Sequence, residues 1–277
     1  MAEPVILDGK KLAGEIREDL KQRVAKLSRK PVLATILVGA DPASATYVKM
    51  KGKACESIGM ASRKIELPAT TQTDALLRII DELNQDPDVH GILLQHPVPE
   101  NVDERAAFDR IAAEKDVDGV TTLGFGKISF GQDAYPSCTP AGMIRLMDEY
   151  EIPIEGKHAV VVGRSPILGK PMALLLLERN ATVTVCHSRT KNLEGHLATA
   201  DIVVAAVGKP NFIQGASLKE GVVVMDAGYN EGNVGDADYD SCFKKASHIT
   251  PVPGGVGPMT IAMLLAHTVQ AAEKAAS

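Results

Sequence analysis

Short apolar runs rich in β-branched residues recur along this chain, and helical or loop connections separate them. “PVLATILVG” and “VHGILLQ” lie in the first half, and “KHAVVVG”, “ATVTVCH”, “DIVVAAVG” and “GVVVMDAG” follow in the second. Between the first two runs, Asp41 and Pro42 predict the start of a helix that reaches Ile58, and “DALLRIIDELNQDP” predicts another helix. Strands that alternate with helices in this way predict an α/β fold with mostly parallel sheets.

A looser tract, “GVTTLGFGKISFGQDAYPSCTP” from Gly119 to Pro140, interrupts this alternation. The chain of 277 residues is long enough for two domains of ordinary size or for one large domain. Because the interruption falls between the two series of strands, we place a change of domain there. The sequence thus predicts an N-terminal domain over residues 1–138 and a second domain over residues 139–258.

The composition argues against several classes of partner. A net charge of −5 disfavours a nucleic acid or an anionic membrane surface as the main partner, and no apolar run approaches the ~20 residues that span a bilayer. Because Cys55, Cys138, Cys186 and Cys242 are widely spaced, we predict no metal site and no disulfide framework. The N-terminal residues lack the apolar core of a signal peptide, so we expect a cytoplasmic protein.

The segment “VVVGRSPILGKP” is similar to the turn that binds a dinucleotide. Gly163 directly follows a predicted strand and Gly169 opens a predicted helix, an arrangement in which backbone amides and the helix dipole receive a pyrophosphate. The pattern is irregular, because Ser165 stands where the usual fingerprint has its second glycine. Taken alone, this turn is a weak indication of a nucleotide site.

The end of the next predicted strand indicates which dinucleotide binds. A carboxylate normally stands there when the ligand is NAD, because it holds the ribose hydroxyl groups, but “VTVCHSRT” supplies Ser188 and Arg189 and no acid. Arg164 and Arg189 together suit a 2′-phosphate, which a carboxylate would repel. Each arginine alone is equally well explained as a solvated surface residue, but their joint position on the two expected loops favours NADP.

The first half of the chain contains a second group of candidate residues. Tyr47 and Lys51 are four residues apart and would share one helix face, although such pairs are common on helix surfaces. Gln95 ends a predicted strand, at the sheet edge where ligands bind in open α/β folds. Asp116 and Asp118 lie in a predicted turn, where a carboxylate binds a ligand or stabilises its own backbone. The pattern alone leaves both explanations open.

Near the end of the chain, “TPVPGGVGPMT” combines three prolines and three glycines immediately before an apolar helix. Proline makes such a loop rigid, and glycine lets another molecule approach the backbone closely. An ordinary tight turn, with Gly257 as the helix N-cap and Pro258 near the first helical position, explains the isolated stretch as well.

Nine segments of the sequence, in order, resemble those of one family: “SATYVKMKGKA”, “GILLQHPVP”, “KDVDGV”, “SCTPAG”, “VVVGRSPILGKP”, “VTVCHSRT”, “VVAAVGKP”, “VMDAGYN” and “ITPVPGGVGPMTIAML”. This is the bifunctional methylenetetrahydrofolate dehydrogenase/cyclohydrolase family, and nine blocks in register over most of the chain are highly specific. The resemblance implies an N-terminal α/β domain and a C-terminal Rossmann-type NADP-binding domain, with the last helix, residues 259–277, returning to the first domain. It also implies a homodimer.

The activity that the resemblance implies is NADP-dependent oxidation of 5,10-methylenetetrahydrofolate, followed by hydrolysis of the methenyl product to 10-formyltetrahydrofolate. Lys51 corresponds to the catalytic lysine of the family and Gln95 to the glutamine that supports it. Tyr47 corresponds to the tyrosine beside the p-aminobenzoate part of folate, and Asp118 to the pterin-binding aspartate. Residues assigned to the cofactor are Gly163, Arg164, Ser165, Ser188, Arg189 and Tyr229. The Pro/Gly loop would close the cleft between folate and nicotinamide, and its residues Gly255, Val256 and Pro258 are assigned to the substrate.

Three residues depart from the family pattern. His96 follows Gln95 where leucine is usual, Ser137 replaces a proline, and Tyr229 replaces an aliphatic residue. None of these removes a proposed catalytic group.

Two other functions remain open, an enzyme of this fold without cyclohydrolase activity and a non-catalytic NADP-binding sensor. The intact set of Tyr47, Lys51, Gln95 and Asp118 favours the bifunctional enzyme.

Overall fold

A computed structural model describes residues 3–276 of the protein, apart from the side chain of Ala43. The strands are β1 (Val5–Ile6), β2 (Val32–Val38), β3 (Ala61–Leu67), β4 (Gly91–Leu94), β5 (His158–Val162), β6 (Thr182–Cys186), β7 (Ile202–Ala205), β8 (Val222–Asp226) and β9 (Ala246–Ile249). The helices are α1 (Gly9–Val24), α2 (Pro42–Ser57), α3 (Thr73–Gln85), α4 (Glu104–Arg110), α5 (Thr122–Ser129), α6 (Cys138–Glu149), α7 (Gly169–Glu178), α8 (Leu193–Leu197), α9 (Tyr239–Phe243) and α10 (Val256–Ala276), with a 3-10 helix at Gly215–Ser217.

The described chain divides into two compact units, each assembled from separate segments. The small-sheet unit contains Glu15–Cys138 and the chain from Ile261 onward. The large-sheet unit contains the chain up to Gly14 and Thr139–Thr260. Helices α1 and α10 therefore contribute residues to both units.

In the large-sheet unit, the described strands run parallel in the order β6-β5-β7-β8-β9-β1. The chain passes from β5 to its outer neighbour β6 and then returns to β7 on the other side of β5. The direction of winding therefore reverses between β5 and β7, and ligands of open α/β sheets bind beyond the carboxyl ends of the strands at such a point. Val160, Val203 and Val224 are fully buried in the core of this unit, which confirms the predicted strands.

In the small-sheet unit, parallel strands follow the order β3-β2-β4 among the described residues. The winding reverses between β2 and β4, which places a second candidate ligand crevice at the carboxyl ends of these two strands. Helix α2 begins as the sequence predicts, because Asp41 is its N-cap and accepts a hydrogen bond from the Ser44 amide at 2.7 Å. The helix therefore leads from the carboxyl end of β2 past this crevice.

Helix α10 completes the small-sheet core. Its residues Leu264, Leu265 and Val269 pack with Leu33 of β2 and Leu93 of β4, which confirms that the last helix returns to the N-terminal α/β part of the chain. No helix between residues 3 and 276 has both the length and the apolar character needed to cross a membrane.

The loose tract between Gly119 and Pro140 contains one element that the sequence did not indicate. Helix α5 begins after Thr121, whose Oγ1 accepts a hydrogen bond from the Gly124 amide at 2.9 Å. Glycine lowers helix propensity by about 1 kcal/mol relative to alanine, and this helix contains Gly124 and Gly126. The helix forms although its composition disfavours it. The Thr121 side chain caps its first turn, and Gly124 is buried.

Candidate active site

Gln95 lies at the crevice of the small sheet because it directly follows β4. Its backbone N–H donates to the carbonyl of Ile36 on β2 at 2.9 Å, which extends the pairing of these strands by one residue. Its side chain is buried. The Gln95 amide nitrogen donates to the backbone carbonyl of His96 at 2.8 Å, so the amide oxygen is the end directed toward other groups.

Lys51 meets that amide oxygen from helix α2. The Lys51 Nζ donates to Gln95 Oε1 at 3.0 Å, although the residues are 44 positions apart in sequence. Tyr47 lies one turn earlier on the same helix, with its side chain 40% exposed. The structure thus brings Lys51 and Gln95 into direct contact, with an accessible aromatic ring on the adjacent turn.

The two aspartates of the predicted turn have different roles in the structure. The Asp116 carboxylate is buried and accepts hydrogen bonds from the amides of Val120 and Thr121, each at 3.0 Å. Burial raises the pKa of Asp116, and these amide donors oppose that shift. Of the two explanations given for these aspartates, ligand binding and stabilisation of their own backbone, the second therefore applies to Asp116. Asp118 is half-buried beside the Cys138 thiol.

Cys138 and His267 support the backbone of this turn, and the sequence analysis missed both roles. His267 Nδ1 donates to the carbonyl of Val117 at 2.9 Å, and the Cys138 thiol donates to the same oxygen at 3.3 Å. Burial raises the pKa of Cys138, and the neighbouring Asp118 carboxylate raises it further, while the Lys51 ammonium lowers it. The thiol therefore lies within electrostatic reach of both Lys51 and Asp118.

Burial lowers the pKa of His267, which favours the neutral imidazole. A neutral ring that donates from Nδ1 must carry its proton there, so the hydrogen bond to Val117 fixes the tautomer. The residue before Asp118 is thereby held by a helix that lies 150 positions later in sequence. No local pattern in the sequence indicates this contact.

Two of the departures from the family pattern lie close to these residues. His96 is half-buried, and its ring meets that of Phe108 edge to face with 6.4 Å between the ring centroids. Ser137 is buried beside Gly119, where an added Cβ would lie 2.4 Å from the Ser137 nitrogen. Gly119 has a φ of +68°, so this close approach requires glycine.

The predicted dinucleotide turn lies at the reversal point of the large sheet. Gly163 directly follows β5 and has a φ of +135°, and an added Cβ would lie 2.1 Å from the carbonyl oxygen of Ala206. Gly169 opens α7, and its Cβ would lie 2.4 Å from the carbonyl oxygen of Gly163. Both positions therefore exclude side chains. Arg164 and Ser165, between them, are exposed.

The loop after β6 forms a tight turn next to the dinucleotide turn. The amide of His187 donates to Thr190 Oγ1 at 2.8 Å, and the amide of Arg189 donates to His187 Nδ1 at 3.2 Å. Ser188 and Arg189 are exposed, and the sequence from His187 to Lys191 contains no acid. Because β6 pairs with β5, both predicted arginines follow the carboxyl ends of adjacent strands.

Tyr229 follows the carboxyl end of β8. Its side chain is 59% exposed, and its hydroxyl donates to Asn233 Oδ1 at 2.6 Å. The residue therefore presents an accessible ring at the same edge of the large sheet as the dinucleotide turn.

The Pro/Gly loop packs closely against the start of α1 within the large-sheet unit. The Lys10 amide donates to the carbonyl of Gly254 at 2.9 Å, and a Cβ on Gly9 would lie 1.9 Å from the carbonyl oxygen of Gly255. Helix α10 begins at Val256, so Pro258 lies in its first turn. Gly255 and Val256 are buried and Pro258 is partly exposed.

Comparisons with known proteins agree with both units. The family profile “Tetrahydrofolate dehydrogenase/cyclohydrolase, catalytic domain” matches residues 7–118, and the “NAD(P)-binding domain” profile of the same name matches residues 137–276. The chain is 66% identical over 277 residues to “Bifunctional protein FolD” of Shouchella clausii, with 99% of each chain covered.

Solved structures of dehydrogenase/cyclohydrolases are also similar to this chain over nearly its whole length. A bifunctional FolD methylenetetrahydrofolate dehydrogenase/cyclohydrolase from Campylobacter jejuni has a TM-score of 0.96 at 45% identity, and the match covers 98% of this chain and 99% of that one. The Trypanosoma brucei dehydrogenase/cyclohydrolase, solved with NADP cofactor and inhibitor, has a TM-score of 0.94 at 36% identity, with 99% of each chain covered.

Proposed function

We infer the function from the premise that this chain belongs to the tetrahydrofolate dehydrogenase/cyclohydrolase family. It is a bifunctional enzyme of folate one-carbon metabolism. With NADP as cofactor, it oxidises 5,10-methylenetetrahydrofolate to the methenyl compound, and it then hydrolyses this product to 10-formyltetrahydrofolate. The observation that carries our assignment of the site is the hydrogen bond between Lys51 and Gln95 at the crevice of the small sheet.

We assign the folate to that crevice. Gln95 accepts a hydrogen bond from Lys51 and has its own orientation fixed by the His96 carbonyl, which holds the lysine in one position. Asp118 is the partner proposed for the amino-pyrimidine edge of the pterin, because a carboxylate accepts two parallel N–H bonds. The exposed ring of Tyr47 suits the p-aminobenzoate part of the substrate.

NADP is assigned to the carboxyl edge of the large sheet. A side chain at Gly163 or Gly169 would collide with backbone carbonyl groups, so the two glycines let the chain turn tightly from β5 into the start of α7, where the helix dipole suits a pyrophosphate. Arg164 and Arg189, with Ser165 and Ser188 beside them, suit a 2′-phosphate, and Tyr229 extends the same edge. When bound, the nicotinamide ring supplies the hydride acceptor.

Dehydrogenation requires little proton transfer from the chain. The positive charge that develops on the one-carbon unit is shared by the two flanking nitrogens of the substrate, so the main task of Tyr47 and Asp118 is to hold the substrate in the reactive orientation. Hydrolysis of the methenyl product is different, because water attacks and protons move. Lys51 is the group proposed to act as general acid or base in these proton transfers, and Gln95 keeps the Lys51 Nζ in place.

An absorbance assay with NADP⁺ and 5,10-methylenetetrahydrofolate tests this function. Formation of NADPH establishes the dehydrogenase, and decay of the methenyl absorbance above the uncatalysed rate establishes the cyclohydrolase. Cofactor binding without turnover would instead identify a sensor, and NADPH formation with no accelerated methenyl decay would identify a dehydrogenase alone.

We expect a strong preference for NADP⁺ over NAD⁺. Replacing Arg164 or Arg189 with alanine should lower kcat/KM for NADP⁺ more than for NAD⁺. A charge-assisted contact to phosphate contributes about 1.5–3 kcal/mol when it is desolvated, which corresponds to roughly 10- to 150-fold, and less when solvent screens it. Steady-state kinetics with both cofactors measure this difference.

Arg179→Ala provides the matched control for these variants. Arg179 is the C-cap residue of α7 and forms an ion pair with Asp148, at the opposite end of the helix from its N-terminal turn. Its loss should leave the ratio of the two cofactor efficiencies unchanged. Equal efficiency with NADP⁺ and NAD⁺ in the unmodified enzyme would contradict the assignment of the two arginines.

Substitutions of the two aspartates in the turn should have different effects, one on substrate binding and the other on the stability of the protein. We expect Asp118→Ala to raise KM for both folate substrates by roughly 10- to 150-fold, because a carboxylate that binds two N–H groups contributes about 1.5–3 kcal/mol. Asp116→Asn should lower the melting temperature more strongly than it changes either KM, because Asp116 bonds to the turn. If Asp118→Ala lowers the melting temperature and leaves folate affinity unchanged, Asp118 is only a turn residue.

We further propose that the enzyme is a homodimer in the cytoplasm and that its 10-formyl product serves purine biosynthesis. The family resemblance supports this proposal. Light scattering after size-exclusion chromatography measures the molar mass, and a monomer at micromolar concentration would contradict the dimer.

A further inference from the structure

A carboxylate that the sequence analysis did not single out holds the loop that follows β7. Asp236 is fully buried. Its Oδ2 accepts the amides of Val207 and Gly208 at 2.6 and 2.8 Å, and its Oδ1 accepts the amide of Lys209 at 2.9 Å. Three successive backbone donors directed at one carboxylate fix the conformation of this loop.

The loop held by Asp236 continues directly from the residue that packs on the dinucleotide turn. Ala206 precedes Val207, and its carbonyl oxygen is the atom that would lie 2.1 Å from a Cβ on Gly163. The Ala206 amide donates to the carbonyl of Val162 at 2.9 Å, which ties it to the end of β5. The position of the loop after β7 therefore determines how much space the dinucleotide turn has.

Asp236 also reaches the segment that carries Tyr229. Its Oδ1 accepts the side-chain amide of Asn230 at 3.1 Å. On the other side of Tyr229, a Cβ on Gly228 would lie 2.2 Å from the same oxygen, so this position excludes a side chain. Both neighbours of Tyr229 are thus packed or bonded to the Asp236 carboxylate.

A second buried carboxylate fixes Asp236 itself. Asp226, the last residue of β8, accepts the amides of Gly228 and Asp236 on Oδ1 at 2.8 and 3.0 Å, and that of Ala237 on Oδ2 at 2.8 Å. Burial raises the pKa of Asp226 to about 6, an effect that these amide donors oppose. The two carboxylates therefore form one connected network at the carboxyl edge of the large sheet.

We propose that Asp236 is a positioning residue for the dinucleotide, which sets the geometry of Val207–Lys209 and of the turn around Tyr229 through hydrogen bonds to their backbone and side-chain amides. The inference rests on the proposed cofactor site. Because Asp236 is fully buried, it acts through these segments and does not contact the cofactor. Its effect is therefore on the affinity and alignment of NADP.

Asp236→Asn tests the proposal, because it keeps the shape of the side chain but replaces an acceptor oxygen with an NH₂ group that faces amide donors. We expect the Kd for NADP⁺, measured by isothermal titration calorimetry, to rise on the order of 10- to 100-fold. We also expect faster hydrogen exchange of the Val207–Lys209 amides in the absence of cofactor. Cyclohydrolase turnover, which uses no nicotinamide cofactor, measures the active fraction of each preparation.

Asp201→Asn is the matched control for a purely structural effect. Asp201 precedes β7 at the amino edge of the same sheet, where its Oδ2 accepts the His158 amide at 2.8 Å and its Oδ1 pairs with Lys219. It should lower the melting temperature without changing the Kd for NADP⁺ or exchange at Val207–Lys209. If both variants weaken NADP⁺ in proportion to their loss of stability, the role of Asp236 is structural and the proposal is wrong.

Asn230→Ala keeps the test informative if Asp236→Asn does not fold. It removes one donor to the network and leaves both carboxylates in place, so we expect a smaller rise in the Kd for NADP⁺ in the same direction. An unchanged Kd in a folded Asp236→Asn would overturn the inference, and so would an unchanged Kd in Asn230→Ala if Asp236→Asn does not fold. Failure of the unmodified enzyme to bind NADP⁺ would instead overturn the proposed cofactor, and the inference with it.

Discussion

Lys51→Met should reduce cyclohydrolase turnover by roughly 10²- to 10⁴-fold, the usual effect of losing a general acid or base. Methionine keeps most of the length of the side chain but has no titrating group, and it cannot donate to Gln95 as Lys51 does. Dehydrogenase activity should fall less, because that step depends on alignment more than on proton transfer. The methenyl compound should therefore accumulate during the forward reaction, and its absorbance measures the effect directly.

Lys53→Met provides a control on the same helix. Lys53 is exposed on α2 two residues beyond Lys51, so its loss removes the same charge without removing the contact to Gln95. We expect both activities to stay close to those of the unmodified enzyme. If a folded Lys51→Met variant hydrolysed the methenyl substrate at the unmodified rate, the assignment of Lys51 would be wrong.

Gly163→Ala should have the second large effect, on the dehydrogenase alone. The added Cβ would meet the Ala206 carbonyl oxygen at 2.1 Å, and the backbone at Gly163 has a φ of +135° that alanine rarely adopts. The turn after β5 or the loop after β7 must therefore shift. Because a displacement of about 1 Å at a positioned group costs on the order of 10²-fold, we expect a fall of this size in kcat/KM for NADP⁺.

Gly156→Ala separates this clash from the general strain of a positive φ. Gly156 precedes the same strand at its amino end, has a φ of +72°, and has open space where a Cβ would lie. Alanine there should cost about 1–2 kcal/mol of stability and leave cofactor kinetics unchanged. Similar losses of NADP⁺ efficiency in the two variants would show that stability, and not the space at Gly163, limits the reaction.

The sequence predicted the elements whose signals are local. The apolar run of β2 and the Asp41-Pro42 start of α2 required only neighbouring residues, and both agree with the structure. Strand β3 was missed because Arg63, Lys64 and Glu66 are exposed along an edge strand and give it a polar composition. Its pairing with β2 supplies the stabilisation that its own sequence does not indicate.

Side-chain roles that depend on distant contacts were not accessible from sequence. Asp116 and Asp118 are the same residue type in one turn, and only the hydrogen bonds to Val120 and Thr121 identify Asp116 as the structural member. His267 and Asp236 act on backbone groups 150 and 27–29 positions away. By contrast, the predicted pairing of Lys51 with Gln95 followed from the family resemblance and is present as a direct contact.

The division of each unit among separate segments has a consequence for any attempt to split the protein. A cut after Cys138 would leave the small-sheet core without Leu264, Leu265 and Val269, which reach it from the last helix. The same cut would remove β1 from the edge of the large sheet, where it pairs with β9. Neither fragment would contain all the strands and core residues of one unit. The two halves of the gene therefore do not correspond to two separable proteins, and a shuffled or truncated version must carry both ends of the chain.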